Sequence, residues 1–236
     1  MYCAIDYETQ GFNAKTDAPT ELGVVFFDDN FTELSSFNYL IKSPLTRPQP
    51  KEIIEITGIT DEMIAGGIDE EEVALDIFPR LDAAKAIFAY NAPFDMSFLS
   101  EMLTRQSCRI PSCPVVDVQR DIDYPARFNC KKLSHLAYDH GIIEPKENLH
   151  RAVNDVRLML KVLQKYDLQE VIKNAIEPKV QLRIKTPPPW EDKLGNEYAK
   201  ANGYRFVPET KFWCKTVRES QVEEIIKGSK YPVERV

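Results

Sequence analysis

Three runs rich in aromatic and branched residues open this chain: Tyr2–Tyr7, Leu22–Phe27 and Phe31–Ile41, with Asp28-Asp29-Asn30 as turn chemistry between the last two. Runs of this kind, separated by turns, predict an antiparallel meander. A sheet must bury at least one face, so the next residues have to supply its cover. They read as helices over Lys51–Ile56, Asp61–Ala65 and Asp69–Ala83, after a Pro-rich loop at Ser43–Pro50. Ala86–Tyr90 and Val115–Val118 read as short core strands. Pro93–Gln106 reads as an amphipathic helix with Phe94, Phe98, Leu99, Met102 and Leu103 on one face. Leu133–His140 and Ala152–Tyr166 complete the helical set, the latter striped by Val153, Val156, Leu160 and Leu163. Early strands followed by alternating helices and strands predict a layered α/β or α+β fold.

The 236 residues are 43% hydrophobic, so a substantial core forms and disorder is excluded as the main state. No apolar run approaches the ~20 residues that span a bilayer, and Asp6 in the opening octet argues against a secretory signal. Five cysteines, an odd number at irregular spacing, do not make a disulfide framework, and a cytoplasmic setting is expected. The net charge of −7 excludes a simple electrostatic binder of nucleic acid, so any such function rests on a local site.

Charge divides the chain. Residues 1–185 hold 21 Lys+Arg and 29 Asp+Glu, whereas residues 186–236 hold 9 and 8. Thr186-Pro187-Pro188-Pro189 stands at the change, and three prolines forbid helix. The expected organisation is a main domain over residues 1–178, a Pro-rich linker over 179–189 and a small module over 190–236. That module reads as a helix at Leu194–Asn202, a hairpin around Pro208-Glu209-Thr210-Lys211 and a second helix at Ser220–Lys227. Its aromatics interleave with Arg205, Lys211 and Lys215, which suits either a nucleic-acid platform or a mini-core.

Asp6 and Glu8 stand two apart on the first strand, so both point to one face. Asp95 begins a helix just after the core strand Ala86–Tyr90, where open sheets often build sites. His150 and Asp155 are five residues apart, about 140° around a helix, and converge only if His150 lies in the loop ahead of it. Asn148 suits the start of that helix. Each piece alone has a plain structural alternative: a solvated strand end, a first-turn acid or a loop histidine. Together they are four carboxylates from three segments, all oxygen donors without a cysteine. Such a set selects Mg²⁺ or Mn²⁺, and two such ions form the in-line phosphodiester device. A neutral histidine beside them suits general-base catalysis. Phe94 offers either an apolar wedge to a terminal base or a core contact. Arg105, Arg109, Arg127, Lys131, Lys132 and Arg151 are candidates to track a strand.

Asp6-Tyr7-Glu8-Thr9, Asn91-Ala92-Pro93-Phe94-Asp95 and His150-Arg151-Ala152-Val153-Asn154-Asp155 resemble the three motifs of the DEDDh 3′–5′ exonucleases, which include the proofreading epsilon subunit and ribonuclease T-like enzymes. Glu21-Leu22-Gly23-Val24, Ile56-Thr57-Gly58-Ile59-Thr60 and Val115-Val116-Asp117-Val118 fit further family segments in order. The resemblance covers about residues 1–175. It implies a ribonuclease H-like core with a five-stranded mixed sheet flanked by helices. It implies that Asp6, Glu8, Asp95 and Asp155 hold two divalent cations, with His150 as the base. It also implies that Thr9, Thr57, Ile59, Asn91 and Phe94 line the pocket for the 3′-terminal nucleotide. Thr57 and Tyr90 stand where many relatives have histidine. The expected activity is 3′–5′ hydrolysis of single-stranded DNA to nucleoside 5′-monophosphates, and the implied partners are single-stranded DNA or RNA 3′ ends and a polymerase or repair protein. RNA 3′-end trimming or digestion of short oligoribonucleotides is the alternative within the same chemistry. A silent nucleic-acid-binding or interaction module is the alternative outside it, and the presence of all five site residues argues against it.

Overall fold

The computed structural model describes residues 1–128, 130–145, 151–185 and 193–236. The chain divides into two units, residues 1–175 and 176–236.

The larger unit is built on a sheet of β1 (Tyr2–Thr9), β2 (Pro19–Phe27), β3 (Glu33–Lys42), β4 (Ile68–Asp69), β5 (Ile87–Ala89) and β6 (Val115–Asp117). Their order is β4-β3-β2-β1-β5-β6. The meander β1–β2–β3 is antiparallel, while β3–β4, β1–β5 and β5–β6 are parallel pairs. The sheet is mixed, as expected, but has six strands rather than five. The addition is two-residue β4, which is too short to carry a periodic signal and pairs only at the edge of β3.

Alternation along β1 divides the core. Cys3, Ile5 and Tyr7 face α3 (Glu70–Asp82) and α4 (Ala92–Arg105), where Val73, Ile77, Leu81, Phe98, Leu99 and Met102 are buried with them. Tyr2 and Ala4 face α6 (Ala152–Leu163) and α7 (Leu168–Ile176), with Val156, Met159, Leu163 and Val171. Phe26, Phe27, Phe88 and Phe98 are wholly buried, each contributing roughly 1.5–3 kcal/mol against leaving it exposed. Asp6 and Glu8 continue the Tyr2–Ala4 row, at the end of the strand where apolar filling stops. The short helices α1 (Lys51–Thr57), α2 (Asp61–Ala65) and α5 (Leu133–Asp139) fill the remaining positions close to expectation, but α7 was not anticipated.

In the smaller unit β7 (Lys179–Ile184), β8 (Arg205–Val207), β9 (Phe212–Arg218) and β10 (Val233–Arg235) form an antiparallel sheet ordered β10-β7-β9-β8. Helices α8 (Lys193–Ala201) and α9 (Val222–Gly228) belong to the same unit. This corrects the expected boundaries: residues 179–184 are not linker but a strand of this sheet. Val180, Leu182 and Ile184 alternate with polar residues and pair with β9. The expected helix, hairpin and second helix are present as α8, β8–β9 and α9, and β7 and β10 extend the hairpin into a four-stranded sheet. Thr186, Pro187, Pro188 and Pro189 lie outside the described residues. Tyr204, Trp213 and partly buried Phe206 join Leu182, Ile184, Ala199, Val217 and Val222 in its core, so these aromatics are core rather than platform.

Candidate active site

The position of the acids follows from where pairing ends. Strand β5 accompanies β1 only as far as Ile5, opposite Ala89. Beyond Ala89 the chain turns through Tyr90 and Asn91, whose φ of 66° is left-handed, into α4. Asparagine is among the residues that tolerate that conformation. The turn carries Asp95 back to β1, where its Oδ1 accepts the Tyr7 backbone N–H at 3.0 Å. Tyr7 lies between Asp6 and Glu8, so this one bond ties α4 to the acidic end of β1. A register irregularity at Glu8 and Thr9 marks the end of regular pairing with β2, a feature often found beside sites.

The other approach is made by α6. A side chain at Gly23 would lie 2.2 Å from the Val153 nitrogen and 2.3 Å from the Ala152 carbonyl carbon, so only glycine lets the start of this helix lie against β2. Two residues along, buried Glu21 holds it. Its Oε1 accepts Arg151 Nη2 at 2.6 Å and Nε at 3.0 Å, and its Oε2 accepts the Ala152 backbone N–H at 2.8 Å. Asn38 on β3 donates to Glu21 at 2.8 Å and accepts the Val153 N–H at 3.3 Å. A carboxylate from another strand thus satisfies a helix start that has no side-chain cap of its own. The helix begins after Arg151 rather than near Asn148, which lies outside the described residues.

These two approaches bring Asp6, Glu8 and Asp155 together, each offering an oxygen within 4.8 Å of the others. The electrostatics are those of crowded like charge. Asp6 is pushed well above the usual carboxylate range, first by dehydration and then by Asp95, Glu8, Asp155 and Glu21. Glu8 rises to about 7, by dehydration and then by Asp155 and Glu21, against the lowering influence of Arg151. Asp95 is raised by burial despite the Tyr7 amide, and its Oδ2 is buried with no hydrogen-bond partner among the described residues. Three converging carboxylates, with the buried Asp95 carboxyl raising the proton affinity of Asp6, form a crowded set of oxygen donors. That donor set fits hard divalent cations. His150 lies outside the described residues.

The remaining expected residues have local duties. Thr9 Oγ1 donates to the Gly11 carbonyl at 2.6 Å. Thr57 and Ile59 are buried, and Thr57 Oγ1 both donates to the Ile53 carbonyl and accepts the Ile59 N–H, shaping the loop between α1 and α2. Asn91 Oδ1 accepts Arg120 Nη2 at 3.1 Å, and Arg120 also bonds Asp117 at the end of β6. Half-buried Phe94 packs on Phe98. Arg105, Arg109 and Arg151 are held by Glu70, Asp82 and Glu21.

Several residues at the site were not anticipated as such. Glu21 and Gly23 had been noticed only as a strand segment, although a charged residue in an otherwise apolar strand signals a partner elsewhere. Phe12 is 92% exposed and meets Phe94 edge-on, 6.3 Å between ring centroids. An aromatic that exposed, against the Phe94 that precedes Asp95, is an available stacking surface.

Comparison with known proteins agrees with this arrangement. The family model for exonucleases of the RNase T type matches residues 3–163. Ribonuclease T of Vibrio campbellii is 30% identical over 154 residues, covering 59% of this chain and 67% of that protein. A PolC-type DNA polymerase III of Mycoplasma genitalium is 28% identical over 162 residues, 68% of this chain but 11% of that polymerase. The chain therefore spans only a small part of the polymerases it matches. A zinc-bound structure of Escherichia coli exonuclease I with single-stranded DNA superimposes with a TM-score of 0.63 at 19% identity, covering 78% of this chain and 47% of the other, a likeness of fold. With its ribonuclease H-like sheet and the match over residues 3–163, the chain belongs to the RNase T exonuclease family.

Proposed function

We propose that this chain is a metal-dependent 3′–5′ exonuclease that hydrolyses the terminal phosphodiester of single-stranded DNA and releases nucleoside 5′-monophosphates. The observation that carries this reading is the convergence of Asp6, Glu8 and Asp155 within 4.8 Å, beside the orphaned buried oxygen of Asp95. Asp6, Glu8, Asp95 and Asp155 would hold two Mg²⁺ or Mn²⁺ ions. Such a pair supplies neutralisation of charge on the attacking and leaving oxygens of an in-line displacement.

The chain's own residues do the rest. The Tyr7 amide holds Asp95 Oδ1 against the strand and leaves its second oxygen to a metal. Glu21 fixes the start of α6 and through it Asp155. His150 takes the proton of the attacking water on a ring nitrogen, the role expected of a neutral imidazole near its own pKa. Phe94 and Phe12 present aromatic edges and faces to the terminal bases, and Thr9, Thr57, Ile59 and Asn91 shape the surrounding pocket. The five cysteines are free, which suits a reducing cytoplasm. Among the described residues no helix is long and apolar enough to cross a membrane.

The likeness to ribonuclease T supports a second reading with the same chemistry on RNA. Parallel digestion of 5′-labelled DNA and RNA single strands of matched sequence separates them. The expected result is a Mg²⁺-dependent ladder shortening from the 3′ end, faster on DNA and abolished by EDTA. Faster shortening of RNA replaces the first reading by the second. Shortening from the 5′ end, or none in Mg²⁺ or Mn²⁺, overturns both.

A further inference from the structure

The sheet of the smaller unit has two unlike faces. One carries Leu182, Ile184, Trp213 and Val217 into the unit's core. On the other, Arg205, Cys214, Arg183 and Glu234 stand in register across all four strands. Along β7 the same face presents Lys179 and Gln181, and along β9 Phe212, Thr216 and Arg218. Lys179, Gln181, Arg205 and Thr216 are exposed, whereas Cys214 and Arg218 are buried beneath the longer side chains of this face. The Arg183 guanidinium lies 4.2 Å from the centre of the Phe212 ring, and its Nε donates to Glu234 at 2.7 Å. The guanidinium thus lies over the ring and is held by a carboxylate.

Lys179, Arg183, Arg205 and Arg218 stand on this face against Glu234, which holds Arg183, and Glu177, which faces Arg218, so cations outnumber acids there. Residues 176–236 hold 12 Lys+Arg and 9 Asp+Glu, whereas residues 1–175 hold 18 and 28. The positive charge of an acidic chain is concentrated in the unit where an aromatic–guanidinium contact stands among exposed donors. A polyanion with stackable bases matches all three features: phosphates for the cations, a base for the stack, and polar edges for Gln181 and Thr216. An acidic peptide would use only the first.

We propose that this open sheet face binds single-stranded nucleic acid, with Lys179 and Arg205 toward phosphates and the Arg183–Phe212 stack toward a base. The surface belongs to the smaller unit and the carboxylates to the larger, and binding to it does not require hydrolysis.

The test uses the full chain in EDTA, with anisotropy of a 5′-fluorescein-labelled thymidine 30-mer read over a range of salt concentrations. Lys179→Glu combined with Arg205→Glu is expected to weaken binding at least tenfold. It should also flatten the slope of log affinity against log salt by about 1.4, two phosphate contacts at roughly 0.7 each. Phe212→Ala should weaken binding about tenfold, the scale of one lost stacked base. Lys179→Arg with Arg205→Lys should keep wild-type affinity. If the Glu pair melts early, Lys179→Gln with Arg205→Gln is read in its place. The proposal is overturned if the charge variants bind the 30-mer as wild type does at every salt concentration, if they lose affinity without a change of slope, or if the wild-type chain does not bind the 30-mer. Failure of the nuclease reading appears separately, as absence of Mg²⁺-dependent products from the wild type.

Discussion

The two units handle charge in opposite ways. In residues 176–236 guanidinium and ammonium groups meet acids: Arg183 and Lys185 share Glu234, Arg218 faces Glu177, and Arg235 meets Glu219. In residues 1–175 some ion pairs also join elements, as with Lys85 and Asp29 or Arg157 and Glu33, and two involve residues that hold the site's supports, Arg151 with Glu21 and Arg120 with Asp117. At its centre Asp6, Glu8 and Asp155 crowd together and raise one another's proton affinity. Paired charges hold elements in place. Crowded carboxylates destabilise the fold that contains them, and a sheet of this size can carry that burden because the apolar rows behind Asp6 and Glu8 are filled. The contrast separates charge used as structure from charge that, under the proposed function, cations would neutralise.

The largest effect that can break the comparison comes from the centre. Asp6→Asn, Glu8→Gln, Asp95→Asn and Asp155→Asn should each lower the rate of single-strand hydrolysis by ~10²–10³-fold or more, the scale of losing one preorganised electrostatic contact, with the far-ultraviolet circular dichroism unchanged. A folded variant that retains most of the wild-type rate would show that its carboxylate belongs to the structural class.

Glu21 tests the border between the classes. Glu21→Gln keeps a hydrogen-bond acceptor but removes the charge that holds Arg151. It should cost roughly 10–100-fold in Mg²⁺ affinity or activity, as for a residue supporting metal ligands. Calorimetric titration of Mg²⁺ alongside turnover reads it. Unchanged metal affinity with a lowered melting temperature would make Glu21 a structural residue only.

A smaller effect, with a definite sign, is expected from pH. The Glu8 carboxyl titrates at about 7 in the fold and near 4.3 when unfolded. Between those values the folded chain binds the extra proton, so this stabilisation is complete below the lower value and lost as pH rises through the upper one. In EDTA the melting temperature of wild type should therefore fall from pH 5 to pH 8 more than that of Glu8→Gln, and Mg²⁺ at pH 8 should restore it. Parallel curves for the two proteins would remove Glu8 from the crowded cluster. The least effect is expected at the other extreme: Lys227 pairs with Glu223 on α9 with both side chains largely exposed, and Lys227→Ala should leave melting temperature and turnover unchanged.

Much of the larger unit was legible because its information is local. Period-two alternation along Tyr2–Tyr7 and the apolar stripe of Pro93–Gln106 each report on which side faces the core, and both elements are present within a residue or two of expectation. The smaller unit was less legible. Val180, Leu182 and Ile184 alternate as a strand, but the prolines just beyond drew the boundary too far along the chain. Tyr204, Phe206 and Trp213 suit a platform or a core equally well until their neighbours are known, because aromatics serve both.

The sequence by itself determined the chemistry of the site: oxygen donors only, two of them on one strand face, with a histidine near a third segment. Residue type and short-range period carry that information. Tertiary structure decided which groups meet. Glu21 caps a helix 131 residues away, Gly23 admits that helix, and the Tyr7 amide captures Asp95 across 88 residues. Such pairings depend on strand order and register, which are set by packing over the whole sheet and leave no mark at either residue alone.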